Sequence, residues 1–483
     1  MDYIPIAIFW GLAVIGLFGN RSLLIYLFFA TMPFGSFAVF PTTMTMGLTF
    51  TPTPIVACLL FLRTFLTGRA IKFGLSALFA PRGLVLLTLF WAVAVLVTIF
   101  SPRFFAGSVI IVPMKLTRYL QSEFLEPTTQ NISQIMYLTI SVITVVTFAR
   151  LMLDAKQQQE ALKALCVGGA ITIITGVLDF ASHFAPLEWL LEPFRTASYA
   201  LLTDVTLEGG TRRVVGLMPE ASSYGALCTQ LLTLLYFLRH AITDSFYRNK
   251  VVPIVAALLL LFVWLSTSSS AYVALVVFGA FAGLDFLWRA KKARRGTRAG
   301  RELELEFWTA SAVAAIVFMA FIARPEIFDS IFRLFDQMVL KKTHTSSFEE
   351  RSFWTLTSWQ ALLDTYGLGV GMGGTRASNE IVATLSNTGV LGGLLYYGFA
   401  LQSMLRRAYP GDAVNVALVS GLRWSFLPGL TAGILAGTSA DFGLKNAFLF
   451  GTMFAAAIVS WHNRRKSTDV APTGTEGTRK VSA

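Results

Sequence analysis

Two stretches of this 483-residue chain carry side chains suited to handling an anion. The first runs Thr211-Arg212-Arg213-Val214-Val215-Gly216-Leu217-Met218-Pro219-Glu220-Ala221-Ser222-Ser223-Tyr224-Gly225. Pro219 suits the first turn of a helix, and Glu220 suits the positive end of its dipole. A carboxylate and two guanidinium groups therefore meet where the chain enters an apolar segment. They can serve as a helix cap with interfacial arginines, or as a base beside phosphate-binding cations.

The second stretch opens with Ser347-Phe348-Glu349-Glu350, which reads as a capping box with Ser347 as N-cap and Glu350 reaching back. The helix that follows has Phe353, Trp354, Leu356, Trp359, Leu362 and Leu363 as a broad apolar stripe, with Arg351 in its first turns. Such a helix should lie at a membrane interface. Next comes Gly367-Leu368-Gly369-Val370-Gly371-Met372-Gly373-Gly374-Thr375-Arg376-Ala377-Ser378-Asn379-Glu380. Its five glycines in eight residues let backbone amides turn inward around an anion, and Arg376 could grip a phosphate bidentately. Flexible re-entry into the membrane is the structural alternative.

The elements that must position these residues are apolar. The chain is 55% hydrophobic and 14% charged, where soluble domains carry about 25% charged residues. Segments such as 84–100, 251–265, 272–288 and 447–461 hold almost no charge, and each approaches the roughly 20 residues that cross a bilayer. Spans are expected near 5–19, 22–40, 50–68, 83–100, 132–149, 162–181, 221–238, 251–267, 270–288, 306–323, 381–405, 414–437 and 441–461. Backbone groups in lipid must bond within their own segment, so the expected fold is all-α, a polytopic membrane bundle of about 12–13 helices over residues 1–466. Residues 467–483, polar and rich in Thr, Gly and Lys, read as a disordered cytoplasmic tail.

Net charge is +12, and the basic residues fall on alternate loops: Arg69, Lys72 and Arg82; Arg239, Arg248 and Lys250; 289–301; Arg406 and Arg407; Arg464, Arg465 and Lys466. The positive-inside rule puts those loops in the cytoplasm, and topology explains the basicity without nucleic acid. The long loops 101–131, 182–220 and 324–380 then face outward as a folded platform, and the N-terminus lies outside. The opening segment lacks a basic region before its first span, so it reads as a membrane helix rather than a cleaved leader. Cys58, Cys166 and Cys228 sit in or beside apolar spans and read as small hydrophobes.

Taken together the motifs resemble the O-antigen polymerase and ligase superfamily of bacterial polysaccharide assembly. The resemblance rests on Arg213-Val214-Val215-Gly216 with Pro219-Glu220-Ala221-Ser222, then Leu265-Ser266-Thr267-Ser268-Ser269-Ser270. Arg351 with Trp354, the Gly-Val-Gly-Met-Gly-Gly run, Ser378-Asn379 and Leu385-Ser386-Asn387-Thr388-Gly389-Val390-Leu391-Gly392 follow in the same order. It implies a multi-pass protein of the bacterial inner membrane with its site facing the periplasm, transferring glycan from undecaprenyl diphosphate to another lipid-linked repeat unit. Ligases of the superfamily have a His-Asn pair where this chain has Ser378-Asn379, which favours a polymerase of O-antigen or exopolysaccharide. His344 reads as a solvated loop residue and His183 as a surface residue.

On that reading the enzyme is a metal-independent glycosyltransferase without cofactor. Arg213, Arg351 and Arg376 hold the donor diphosphate while Glu220 accepts the proton of the attacking hydroxyl. Arg212 and Glu380 stand behind them, and Ser378 and Asn379 join the substrate-binding set. The expected partners are the undecaprenyl-diphosphate-linked oligosaccharide, membrane lipid and other polysaccharide-export proteins. The rival readings are ligase-type transfer and a flippase of lipid-linked oligosaccharide. A carrier would place ionisable groups at the bilayer midplane, where this sequence has few.

Overall fold

The computed structural model describes residues 3–41, 44–45, 49–114, 120–199, 201–203, 212–292, scattered positions between 300 and 322, and 346–469. It is an all-α, polytopic membrane bundle: eight described helices are long and apolar enough to cross a bilayer, or nine if one bent pair counts as a span. The helices are α1 (Tyr3–Phe18), α2 (Arg21–Ala30), α3 (Pro52–Thr64), α4 (Gly68–Phe79), α5 (Val85–Phe104), α6 (Thr129–Leu151) and α7 (Ala155–Ser182). There follow α8 (Ala221–Leu238), α9 (Val252–Leu265), α10 (Ser269–Lys292), α11 (Ser346–Asp364), α12 (Glu380–Met404), α13 (Ala413–Ala436) and α14 (Gly443–Asp469). Most of the expected span 306–323, all of 324–345 with His344, and residues 470–483 lie outside the described residues.

Two N-terminal expectations are corrected. The span placed at 22–40 is a helix of ten residues that stops at Ala30. The span placed at 50–68 is α3 alone, and the chain then bends by 114° into α4, which was not anticipated. The reason is local: Thr67 caps α4 by accepting the Ala70 amide, while the α4 sequence alternates Ala70, Gly74 and Ala77 inward with Ile71, Leu75 and Phe79 outward. That pattern suits a surface helix better than a buried span.

Several threonine hydroxyls inside the spans are satisfied within their own helix. The hydroxyls of Thr144, Thr147, Thr172, Thr229 and Thr233 each donate to the carbonyl four residues back. Phe28, Phe29, Phe148 and Phe448 meet edge to face at the crossing of α2, α6 and α14, with centroids 5.0 to 5.1 Å apart for the contacting pairs Phe28–Phe148, Phe29–Phe448 and Phe148–Phe448.

At the end of the bundle where α5 stops and α6 starts, a small lobe stands on the helices. Strands β1 (Ile110–Ile111) and β2 (Glu123–Phe124) form an antiparallel hairpin in loop 101–131. Val109, Ile111 and Leu125 of this loop bury against Ala361 of α11 and Val370 of the glycine-rich run. The described part of loop 101–131 is therefore folded against the segment that carries α11 and the glycine-rich run. Helix α11 already includes Ser346, two residues before the start that a Ser347 cap would set, so Ser347 lies within the helix and is not its N-cap. Its stripe divides: Trp354 and Leu362 are buried, whereas Leu356, Trp359 and Leu363 are exposed, as an interfacial helix requires.

Candidate functional site

The glycine-rich run is held by neighbours on every side. Gly367, Gly369, Gly371 and Gly373 take φ values of 79°, 82°, 89° and 74°, a region only glycine enters freely. The Gly369 amide donates to Thr365, Val370 to the Ser386 carbonyl, Met372 to Thr98 and Arg376 to the Val112 carbonyl. The Ser378 amide donates to Thr355. These amides are spent on protein and are not open to an anion. The glycines serve close backbone approach instead: Val390 donates to the Gly367 carbonyl at 2.9 Å, and α12 is broken at Gly389 (φ 75°) where the two chains touch. The glycine run and the Leu385–Gly392 motif are two sides of one contact.

What this contact positions is Arg376. Its amide is tied to β-hairpin residue Val112 and its carbonyl accepts the Ser358 hydroxyl at 3.0 Å, which aims the side chain across α11. The guanidinium stacks on Trp354, 4.1 Å from the ring centroid. Arg351 lies three residues before Trp354 on the same helix face and makes no ion pair among the described residues.

Glu220 arrives from the other side. It is the N-cap residue of α8, and Pro219 precedes the cap instead of occupying the first turn. The Glu220 carboxylate accepts the Ser222 hydroxyl, and that of Ser223 at 3.4 Å. Its segment is anchored by buried Asp179 of α7, which accepts the amides of Val215 (2.7 Å) and Gly216 (3.0 Å) and pairs with Arg195 at 2.8 Å.

Glu220, Glu350, Arg351, Trp354, Arg376 and Glu380 all line one cavity of about 820 Å³, which runs down between α8, α10 and α13 to Thr233 and Ser425. Burial pulls the Arg376 guanidinium below its ordinary proton affinity; Glu220 and Glu350 pull it back up, and Arg351 opposes them. Those four charges are therefore within electrostatic reach. Nε of Arg376 and Nε1 of Trp354 are buried donors without a hydrogen-bond partner among the described residues. Such donors are costly to leave unmet, and a ligand oxygen in the cavity would meet them.

A second group of charges comes from the α13 and α14 side. Asp441 and Lys445 line the cavity beside Glu380, and Glu380 and Lys445 rest on Gly429, Gly433 and Gly437 of α13 and its C-terminus. No side chain larger than hydrogen fits at Gly433 without meeting the Glu380 carboxylate. Glu380 makes no ion pair within 4 Å among the described residues. The sequence marked Glu380 only as a reserve; Lys445 and Trp354's stacking role carried no motif signal, since only the fold brings α11, α12 and α14 together.

Other expected site residues lie elsewhere. Arg213 is not in the lining; its guanidinium donates to the Ser266 carbonyl (3.5 Å) and the Thr267 carbonyl (3.2 Å), fastening the α8 entry to the α9–α10 turn. Burial lowers its proton affinity, and Glu220 partly restores it. Arg212 pairs with Glu188 at 3.0 Å. Ser378 and Asn379 line a neighbouring cavity of about 590 Å³, where Val273, Phe348, Leu356 and Leu435 make the walls mostly apolar and Arg351 is shared with the first. The Asn379 side-chain oxygen is occupied in capping α12, accepting the Ile381 and Val382 amides. His183 is half-buried at the end of α7, between Phe180 and Phe184.

Comparison with the models of known families gave no match, and a search of curated proteins found no similar sequence.

Proposed function

We propose that the protein is a membrane glycosyltransferase, a polymerase that extends a glycan held on polyprenyl diphosphate at the outer face of the bacterial inner membrane. The observation carrying this reading is that Glu220 of the first anion-suited stretch and Arg351 and Arg376 of the second line a single cavity. It adjoins a second, largely apolar cavity through the shared Arg351. A diphosphate bridging a sugar and an isoprenoid chain has that same division: charge in the middle, a polar ring on one side, hydrocarbon on the other.

In the proposed reaction an acceptor hydroxyl oxygen attacks the anomeric carbon of the donor sugar. The bond from that carbon to the phosphate oxygen breaks, and the electron pair leaves with the diphosphate. Arg351 and Arg376 neutralise the charge that develops there, with Trp354 keeping the Arg376 plane in place. The hydroxyl proton passes to a carboxylate of the lining. Glu220 was the expected acceptor, and Glu380, which no cation pairs within 4 Å, lines the same space. The lining as a whole holds Glu220, Glu350, Glu380 and Asp441 against Arg351, Arg376 and Lys445, so the argument rests on where the arginines sit and not on net charge.

Ionisable residues on helices that line a membrane cavity also suit a carrier, and Glu380 with Lys445 gives the flippase reading a specific footing. Reconstitution into liposomes with lipid-linked oligosaccharide separates the two. Longer glycan chains support transfer; movement of unextended donor across the bilayer, with no chain growth, overturns it.

A further inference from the structure

At the opposite end of the bundle, where α6 ends and α7 begins, lies a separate cavity of about 550 Å³. Arg21 of α2, Arg69 of α4 and Arg150 of α6 line it, with Thr67, Gly68 and Asp154. None of the three guanidinium groups makes an ion pair among the described residues. Neighbouring Arg63 differs: its side chain is spent on carbonyls at the end of α1. Asp154 is the single carboxylate of the lining, and its oxygen is engaged in capping α7 through the Lys156 amide at 2.9 Å. Thr67 and Gly68 put the positive end of α4 at the cavity wall.

The surroundings define the ligand further. Helix α4 turns 114° away from α3. Ala70, Gly74 and Ala77 face the protein, while Ile71, Leu75 and Phe79, one turn apart, are exposed at 48%, 53% and 66%. Such an exposed apolar stripe beside the bend is a surface suited to acyl chains. Positive charge surrounding a cavity at the head of such a stripe fits a phosphate whose own headgroup brings no cation.

We propose that this cavity binds the phosphate group of an anionic phospholipid, whose acyl chains lie along the Ile71, Leu75 and Phe79 face. Basic loops place this end in the cytoplasmic leaflet by the positive-inside rule. The site shares no lining residue with the cavity proposed for glycan transfer, so neither proposal depends on the other.

The test uses the full-length protein, purified and stripped of lipid, in native mass spectrometry and thermal melts. Probes are phosphatidylglycerol, phosphatidylcholine and inorganic phosphate at matched concentrations. Wild-type protein should retain phosphatidylglycerol and melt higher with it, while R69Q/R150Q binds it at least tenfold more weakly and K156Q behaves as wild type. Arg69 is exposed, so R69Q alone keeps the fold and gives a partial loss. Equal retention by wild type and R69Q/R150Q, or no preference over phosphatidylcholine, overturns the site. Equal stabilisation by inorganic phosphate assigns the anion to solution and overturns the lipid.

Discussion

Some arginines of this protein hold backbone, some pair with carboxylates and some line a cavity. Arg213 donates to two carbonyls of the α9–α10 turn, where Thr267 sits at φ 46°, a strained conformation for a β-branched residue. Replacing Arg213 with alanine leaves those buried carbonyls unmet and should cost about 2–3 kcal/mol of stability, read as a lower melting temperature in detergent. Arg351 and Arg376 have no such duty for their charged tips. R351A and R376A should melt like wild type, or nearly so, yet lose glycan polymer by about 100-fold or more, the scale of one lost charge-stabilising donor. A wild-type yield of polymer from either variant, scored on gels of surface polysaccharide, would remove that arginine from the mechanism. E220Q and E380Q divide the proton-accepting role between two carboxylates. The one that acts as base should lower the turnover rate with donor binding intact; the other should change it less than about tenfold.

Among elements, the joint between the glycine run and α12 sets the position of Arg376. Gly371 and Gly389 have positive φ, and a β-carbon at Gly371 would press on Thr98 and Pro102 of α5. G371A and G389A should therefore destabilise the lobe by about 1–3 kcal/mol each and weaken activity through Arg376, even though neither residue reaches the cavity. Gly433 is different in kind. It stands in an ordinary helix, so alanine is tolerated by the backbone, but its β-carbon meets the Glu380 carboxylate. G433A should keep the melting temperature within a few degrees and still depress polymer formation, if Glu380 is needed where it stands. Full activity of G433A would show that the carboxylate's position is immaterial.

In the molecule as a whole, the two proposed anion sites fall at opposite ends. Glu220, Arg351 and Arg376 stand at the end where α8, α11 and α12 begin, beside the folded lobe; Arg21, Arg69 and Arg150 stand at the other, beside α4. A reconstituted protein should extend lipid-linked glycan on one face only, and a metal chelator should leave the rate unchanged. Loss of activity on chelation, restored by a divalent cation, would end the metal-independent scheme.

The apolar runs decided by themselves that this is a helical membrane bundle, because a lipid core accepts little else and the requirement is readable one residue at a time. The residues of the two anion-handling stretches were legible too: Glu220, Arg351 and Arg376 stand in short motifs that the eye can pick out. What each does depended on contacts between stretches more than a hundred residues apart. Arg212 and Arg213 look equal to Arg376 in sequence, yet the first meets Glu188 and the second the α9–α10 turn. The glycine run looks like an anion cradle until Ser386, Thr98, Val112 and Gly389 take up its backbone. Local spacing specifies which groups are present and which element carries them; only the packed tertiary structure determines which donors are already satisfied and which remain facing a cavity.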